Sequence, residues 1–260
     1  MFRNFFAISL SLLTFSLAAE DRYVVAIHGL TLDSRTMSAV CHTLSCRNDE
    51  AYLWNYPSTK GTICSHGQQL YYILQDIAAC RPGKPIDFVT HSIGALILRQ
   101  ALNIEGCPEE AKIGRTVMFA PPNQGSRLAR EWKGFPPVTF CVGTKIGCEL
   151  MTYDAATIHA IGPFPPTMQV LVIAGYKGSN MLFNEPNDGF IAVNETALDT
   201  PYYFQSYRVS HGRLLTNPEA LELMAYFIDH GGCESEDRGC ESEDIGCEPE
   251  GAESAPEPTN

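Results

Sequence analysis

FVTHSIGAL, Phe88 to Leu96, runs an apolar, β-branched stretch into a serine held between His91 and Ile93, with Gly94 one step further on. The residues from Pro85 to Thr90 read as a buried strand, and ALILRQAL after Gly94 carries apolar residues at helical spacing. Ser92 therefore falls at a strand-to-helix junction. Gly94 gives a sharp turn the room it needs, and the helix that follows points its N-terminus near the hydroxyl. This is the context of a nucleophile elbow, which holds one hydroxyl out of the fold. Thr90 stands where the G-x-S-x-G pattern has its first glycine, and threonine is expected to bring strain there.

The same alternation extends along the chain. RYVVAI (Arg22 to Ile27), AYLWNY from Ala51, PIDFVT from Pro85, RTVMFA from Arg115, MQVLVIAG from Met168 and YYFQSYRV from Tyr202 read as strands. Helices are expected over about 34–44, 64–79, 92–103 and 217–229. Strands alternating with helices of this length indicate an α/β fold, a mainly parallel doubly wound sheet with helices on both faces. Ligands gather at the carboxyl ends of the strands in such sheets.

A serine hydroxyl is a poor nucleophile at neutral pH and needs a base, which in turn needs an orienting carboxylate. In this fold class the chain order is Ser, acid, His. His211, in VSHGRLL between the last strand and the last helix, is the candidate base, ahead of His159 and His230. Asp188, in NEPNDGFIAV after the strand ending at Gly175, is the candidate acid, with Asp154 and Glu185 as alternatives; an Asp-Gly pair is also an ordinary turn. The developing oxyanion requires backbone N–H donors. Leu30, after the His28-Gly29 turn of AIHGLTLD, and Ile93 are expected to supply them, while His28 is read as packing that turn.

Taken together, HGL after the first strand, THSIGA, FAPPNQGS, NDG and SHGRLLTNPEALELMAYFI resemble the α/β-hydrolase superfamily, in particular compact bacterial lipases and esterases. The resemblance spans about residues 23–229. It implies the triad Ser92, Asp188 and His211 with oxyanion donors Leu30 and Ile93, and acyl transfer through an acyl-enzyme. No metal or organic cofactor is required by that chemistry. Thr90 and the C-terminal tail depart from the family's pattern.

At 260 residues and 45% apolar composition the chain can bury one sizeable core. Residues 1–19 set Arg3 before an apolar run that ends in small residues, the pattern of a cleaved export signal, so a secreted or periplasmic protein is expected. The catalytic domain is assigned to 20–230, with a cap at about 124–166. Residues 231–260 hold ten acidic side chains and one arginine, most of the net charge of −12, and repeat GCESEDR, GCESEDI and GCEPEGA every seven residues. A segment with so few apolar residues is expected to be disordered. The acidity argues against a nucleic-acid partner, although it belongs mostly to the tail.

Export makes disulfides plausible among Cys41, Cys46, Cys64, Cys80, Cys107, Cys141 and Cys148; the spacing suggests a local Cys141–Cys148 bridge. Cys41, His42 and Cys46 form the one Cys/His cluster and are read as a helix and its end rather than a zinc site. The cap segment, with EWKGFPPVTFCVG and IGPFPP, is rich in Phe, Trp and Pro, which favours a lipid or acyl ester as substrate and a transient membrane-surface contact. Two rival classes use the same residues: a thioesterase, amidase or acyltransferase, and a non-catalytic binder on the same scaffold.

Overall fold

The protein is represented by a computed structural model that describes residues 22–131, 149, 152–153, 155–178, 184–232 and 241–242. The expected export signal, the centre of the expected cap with Asp154, Cys141, Cys148 and nearly all of the acidic tail lie outside the described residues.

Six strands form a parallel sheet: β1 (Tyr23–Ile27), β2 (Glu50–Trp54), β3 (Ile86–His91), β4 (Arg115–Phe119), β5 (Gln169–Gly175) and β6 (Tyr203–Tyr207), in the spatial order β2-β1-β3-β4-β5-β6. Their register pairs Ile27 with Thr90, His91 with Phe119 and Gly175 with Tyr207. From the tail, the two-residue strand β7 (Glu241–Ser242) pairs antiparallel with Phe204 and Tyr203.

Period-two alternation divides the strand side chains between two buried layers. Val25, Ile27, Phe88, Met118 and Val172 face one layer, with α2 (Ile63–Cys80) and α3 (Gly94–Leu102) over them. Val24, Ala26, Val89, Val117, Phe119 and Ile173 face the other, covered by α1 (Ser38–Ser45) and by the last helix, Pro218–His230. Each large side chain excluded from water in this way, Phe88 and Phe119 among them, contributes about 1.5–3 kcal/mol. Covered on both faces, β3 is buried along its full length, its polar residues Asp87, Thr90 and His91 included.

Local signals fix the ends of the elements. Thr62 caps α2 by accepting from Ser65 N while the Ser65 hydroxyl accepts from Thr62 N. Asn217 accepts from Ala220 N and Pro218 opens the helix it begins. At the amino ends of the strands, Arg22 donates twice to the buried Asp87 carboxylate, which also accepts from Arg115 N, and this joins β1, β3 and β4. Among the described residues, Cys41, Cys46, Cys64, Cys80 and Cys107 carry free thiols, and no metal-binding cluster is present; Cys41 to Cys46 form the end of α1.

Candidate active site

The expected helix from Ser92 begins two residues later, at Gly94, because Ser92 adopts φ +53°, a left-handed conformation that a right-handed helix cannot contain. The backbone turns sharply there and is pinned by Ser92 N donating to the Phe119 carbonyl at the end of β4, 2.8 Å away. Thr90 is absent from the positive-φ residues: the strain falls on the serine itself. Gly94 is required by close approach, since a Cβ there would lie 2.8 Å from the Ile27 carbonyl oxygen. Gly29 is pressed against the elbow in the same way, its missing Cβ 2.8 Å from His91 Nδ1 and 3.3 Å from the Ser92 Cβ.

Asp188 lies between β5 and β6, and His211 lies after β6, so both loops emerge at the strand ends that carry Ser92. Asp188 is buried and its two oxygens divide the work. Oδ1 accepts from Phe190 N and Ile191 N at 2.9 and 2.8 Å, forming the Asp-Gly turn, and Oδ2 accepts from His211 Nδ1 at 2.6 Å. The same side chain thus closes the Asp-Gly turn and faces the His211 ring. His211 N also donates to the Asp188 carbonyl. With Nδ1 carrying the proton toward a carboxylate, Nε2 is left as the basic nitrogen. The His211 ring packs against that of His91, the neighbour of Ser92, at a centroid distance of 4.6 Å.

On the far side of the elbow, the N–H groups of Leu30 and Ile93 donate to no other described residue. His28 is buried, stacks on Tyr56 at 4.2 Å and donates from Nδ1 to the Gly29 carbonyl; the Tyr56 hydroxyl in turn donates to the His28 carbonyl. This is the turn-packing role expected of His28, and burial holds its pKa below the usual range.

Three further contributors were not singled out by sequence reasoning. His91 is almost wholly buried, and both its ring nitrogens lack a partner; burial, with His211 beside it, holds its pKa well below the ordinary histidine value. Glu195 accepts from Ala192 N and Arg127 N, which ties the segment after Asp188 to α4 (Arg127–Glu131). Gly175, at the end of β5, lets the Asp188 and His211 loops close in, for its Cβ would sit 2.6 Å from the Val209 carbonyl oxygen and 2.8 Å from the Asp188 Cβ. A glycine closing an apolar strand was the available signal for the last of these.

No family model and no curated protein matches the sequence. Solved structures do. The mature form of Bacillus licheniformis lipase BlEst2 superposes with a TM-score of 0.68 at 15% identity, covering 80% of this chain and 92% of that one. Aspergillus fumigatus lipase B gives 0.57 at 14%, over 82% and 53% of the two chains, and phospholipase PlaB from Legionella pneumophila 0.55 at 18%, over 70% and 46%. The fold is the α/β-hydrolase fold.

Within this α/β-hydrolase fold the competing residues sit elsewhere. Glu185 pairs with Arg127, His159 pairs with Asp199, and His230 Nδ1 donates to the Tyr226 carbonyl at the end of the last helix. FAPPNQGS forms the α/β-hydrolase loop after β4, where Gln124 N and its side-chain amide donate to the carbonyls of Glu195 and Ala197 and brace the Asp188 side of the site.

Proposed function

We propose that this protein is an exported serine hydrolase that cleaves carboxylic esters, lipid or acyl esters in particular. Ser92 Oγ attacks the ester carbonyl carbon while His211 Nε2 takes the hydroxyl proton. The oxyanion that develops is received by the N–H groups of Leu30 and Ile93. The bond to the leaving oxygen then breaks, and His211 returns its proton to that oxygen, releasing the alcohol. Water adds to the acyl-enzyme as His211 takes one of its protons, the bond to Ser92 Oγ breaks as His211 returns that proton to Oγ, and the acid departs. Asp188 holds the His211 tautomer throughout and stabilises the imidazolium.

The observation that carries this reading is the 2.6 Å contact from His211 Nδ1 to the buried Asp188, in loops at the same carboxyl end of the sheet as a serine at φ +53°. A preference for acyl chains is supported by Phe190, which stays 60% exposed although its ring lies 5.4 Å from that of His211. Export is supported by the apolar run of residues 5–19. The test is a fluorophosphonate probe: it is expected to label the wild type and leave Ser92→Ala unlabelled, with ester turnover lower by roughly four to six powers of ten. A Ser92→Ala protein that still cleaves esters would remove the serine from the mechanism.

A further inference from the structure

A cavity of about 370 Å³ opens over the carboxyl ends of β1 and β2, between the loop that follows the proposed oxyanion donor Leu30 and the loop that follows Trp54. Its walls include Thr31, Leu32, Asp33, Asn55 and Thr59. Nothing in the proposed chemistry uses it, yet it adjoins the nucleophile. A Cβ on Gly29 would touch both the Ser92 Cβ, at 3.3 Å, and the Leu32 Cδ1, at 3.4 Å, so the serine and the Leu32 wall stand on either side of one glycine.

The lining mixes apolar surface from Leu32, Tyr56 and Pro57 with polar groups. The hydroxyls of Thr31 and Thr59 bond to no other described residue, and Asn55 uses its Oδ1 to accept from Ser34 N, which leaves its amide N–H groups to be donated elsewhere. Asp33 adds a carboxylate whose Oδ1 accepts from Arg35 N and whose Oδ2 accepts from the Arg35 guanidinium, which lowers its pKa; that arginine is 89% exposed and lies largely in solvent. Thr31 is held at φ +59°, an outlier for a β-branched residue, and backbone strain of this kind concentrates where a site must be shaped. Ser92, at the tip of β3, stands between this cavity, over β1 and β2, and the exposed Phe190, in the loop joining β5 to β6. The cavity flank thus offers unpartnered hydroxyl and amide groups beside its apolar surface, which the Phe190 ring on the other flank does not.

We infer that the cavity is a substrate subsite for a neutral unit bearing several hydroxyl groups. Hydroxyls both donate and accept, matching threonine hydroxyls, an asparagine amide and a carboxylate together. Asp33 and Arg35 neutralise one another as an ion pair, so the cavity holds no net charge that would favour a charged unit. The inference rests on Ser92 being the nucleophile, since only then does the cavity adjoin the scissile bond. The hydroxyl groups can belong to the alcohol half or to the acid half of the ester, and two substrate pairs separate those sources.

The experiment compares kcat/KM for glyceryl butyrate against methyl butyrate, and for methyl gluconate against methyl hexanoate, in the wild type and in Asn55→Leu/Thr59→Val. Both positions are exposed, so the double variant keeps the fold, and its labelling by the fluorophosphonate probe reports an intact nucleophile. The wild type is expected to favour the hydroxylated member of one pair by roughly tenfold or more, and the variant to bring that ratio close to one with little change on the unhydroxylated ester. A probe-labelled wild type with no preference in either pair, or a preference that survives the double variant, overturns the subsite alone. A wild type that the probe does not label removes the serine reading and the subsite with it.

Discussion

The imidazoles of His91 and His211 pack together, their planes inclined at 47° and their centroids 4.6 Å apart, although only His211 has a carboxylate partner. A charged His91 would oppose the imidazolium that His211 must become, and burial keeps it neutral. The same burial ties stability to pH. Unfolded, His91 titrates near the ordinary histidine value of about 6.5; folded, its pKa lies well below it. Below about pH 6.5 the unfolded chain therefore binds a proton that the native protein refuses, and native stability falls as pH falls. His91→Phe removes this titration at no cost in hydrogen bonds, since neither ring nitrogen makes one. Urea unfolding at pH 7.5 and 5.5 is expected to show the wild type losing more stability than the variant, by up to about 1.4 kcal/mol per pH unit below 6.5. Asp49, Asp87 and Glu195, whose pKa values burial raises, push the opposite way in both proteins and cancel in the comparison. A wild-type-to-variant gap that is constant with pH would show that His91 titrates normally in the fold.

Asp188→Asn separates the two tasks of that side chain. The asparagine oxygen can still accept from Phe190 N and Ile191 N, so the turn survives, while the amide NH₂ then faces His211 Nδ1 and selects the tautomer with its proton on Nε2. That tautomer cannot take a proton from Ser92. Turnover is expected to fall roughly ten-thousandfold, as for the matching change in enzymes of this chemistry, with little loss in thermal midpoint. Near-normal turnover in a folded variant would mean that the orienting carboxylate lies elsewhere.

Much of this arrangement was legible in the sequence because each part carries a local signal. The β-branched runs of VVAI and DFVT, the serine-glycine pair after a strand, and an Asp-Gly turn before a strand and a loop histidine each constrain their own surroundings. What stayed hidden depends on contacts between distant segments. Nothing local to His91 announces its ring against that of His211, and nothing local to Glu195 announces that it accepts from Arg127 N. The start of α3 was misjudged by two residues because ALILRQAL extends smoothly back through Ile93, and periodicity carries no sign of φ.

Gly175 is expected to be intolerant of any side chain. An alanine Cβ would fall 2.6 Å from the Val209 carbonyl oxygen and 2.8 Å from the Asp188 Cβ, so the loops bearing Asp188 and His211 must separate. Gly175→Ala should cost about 1–3 kcal/mol of stability and, by displacing the acid and base, roughly a hundredfold in kcat/KM. Gly212→Ala is the control: it adjoins His211 in sequence but has nothing within 4 Å of the added atom, and both properties should stay near wild type. Equal behaviour of the two variants, measured by thermal unfolding and ester turnover, would show that Gly175 does not set the spacing of the loops.

The strain at Ser92 gives a prediction in which stability and activity move apart. Holding a residue with a Cβ at φ +53° costs about 1–2 kcal/mol relative to the right-handed region, and glycine is free of that cost. Ser92→Ala removes the hydroxyl and keeps the strain, whereas Ser92→Gly removes both. Glycine also loses more backbone entropy on folding, by about 0.5–1 kcal/mol, which offsets part of the relief. The net expectation is that Ser92→Gly is more stable than Ser92→Ala by up to about 1 kcal/mol, while both are equally inactive. Chemical denaturation of the two variants at neutral pH measures the difference directly. If Ser92→Ala proves the more stable, the serine is not strained, and the sharp turn that lifts its hydroxyl out of the sheet must be held by something other than the contacts of Phe119, Gly29 and Gly94.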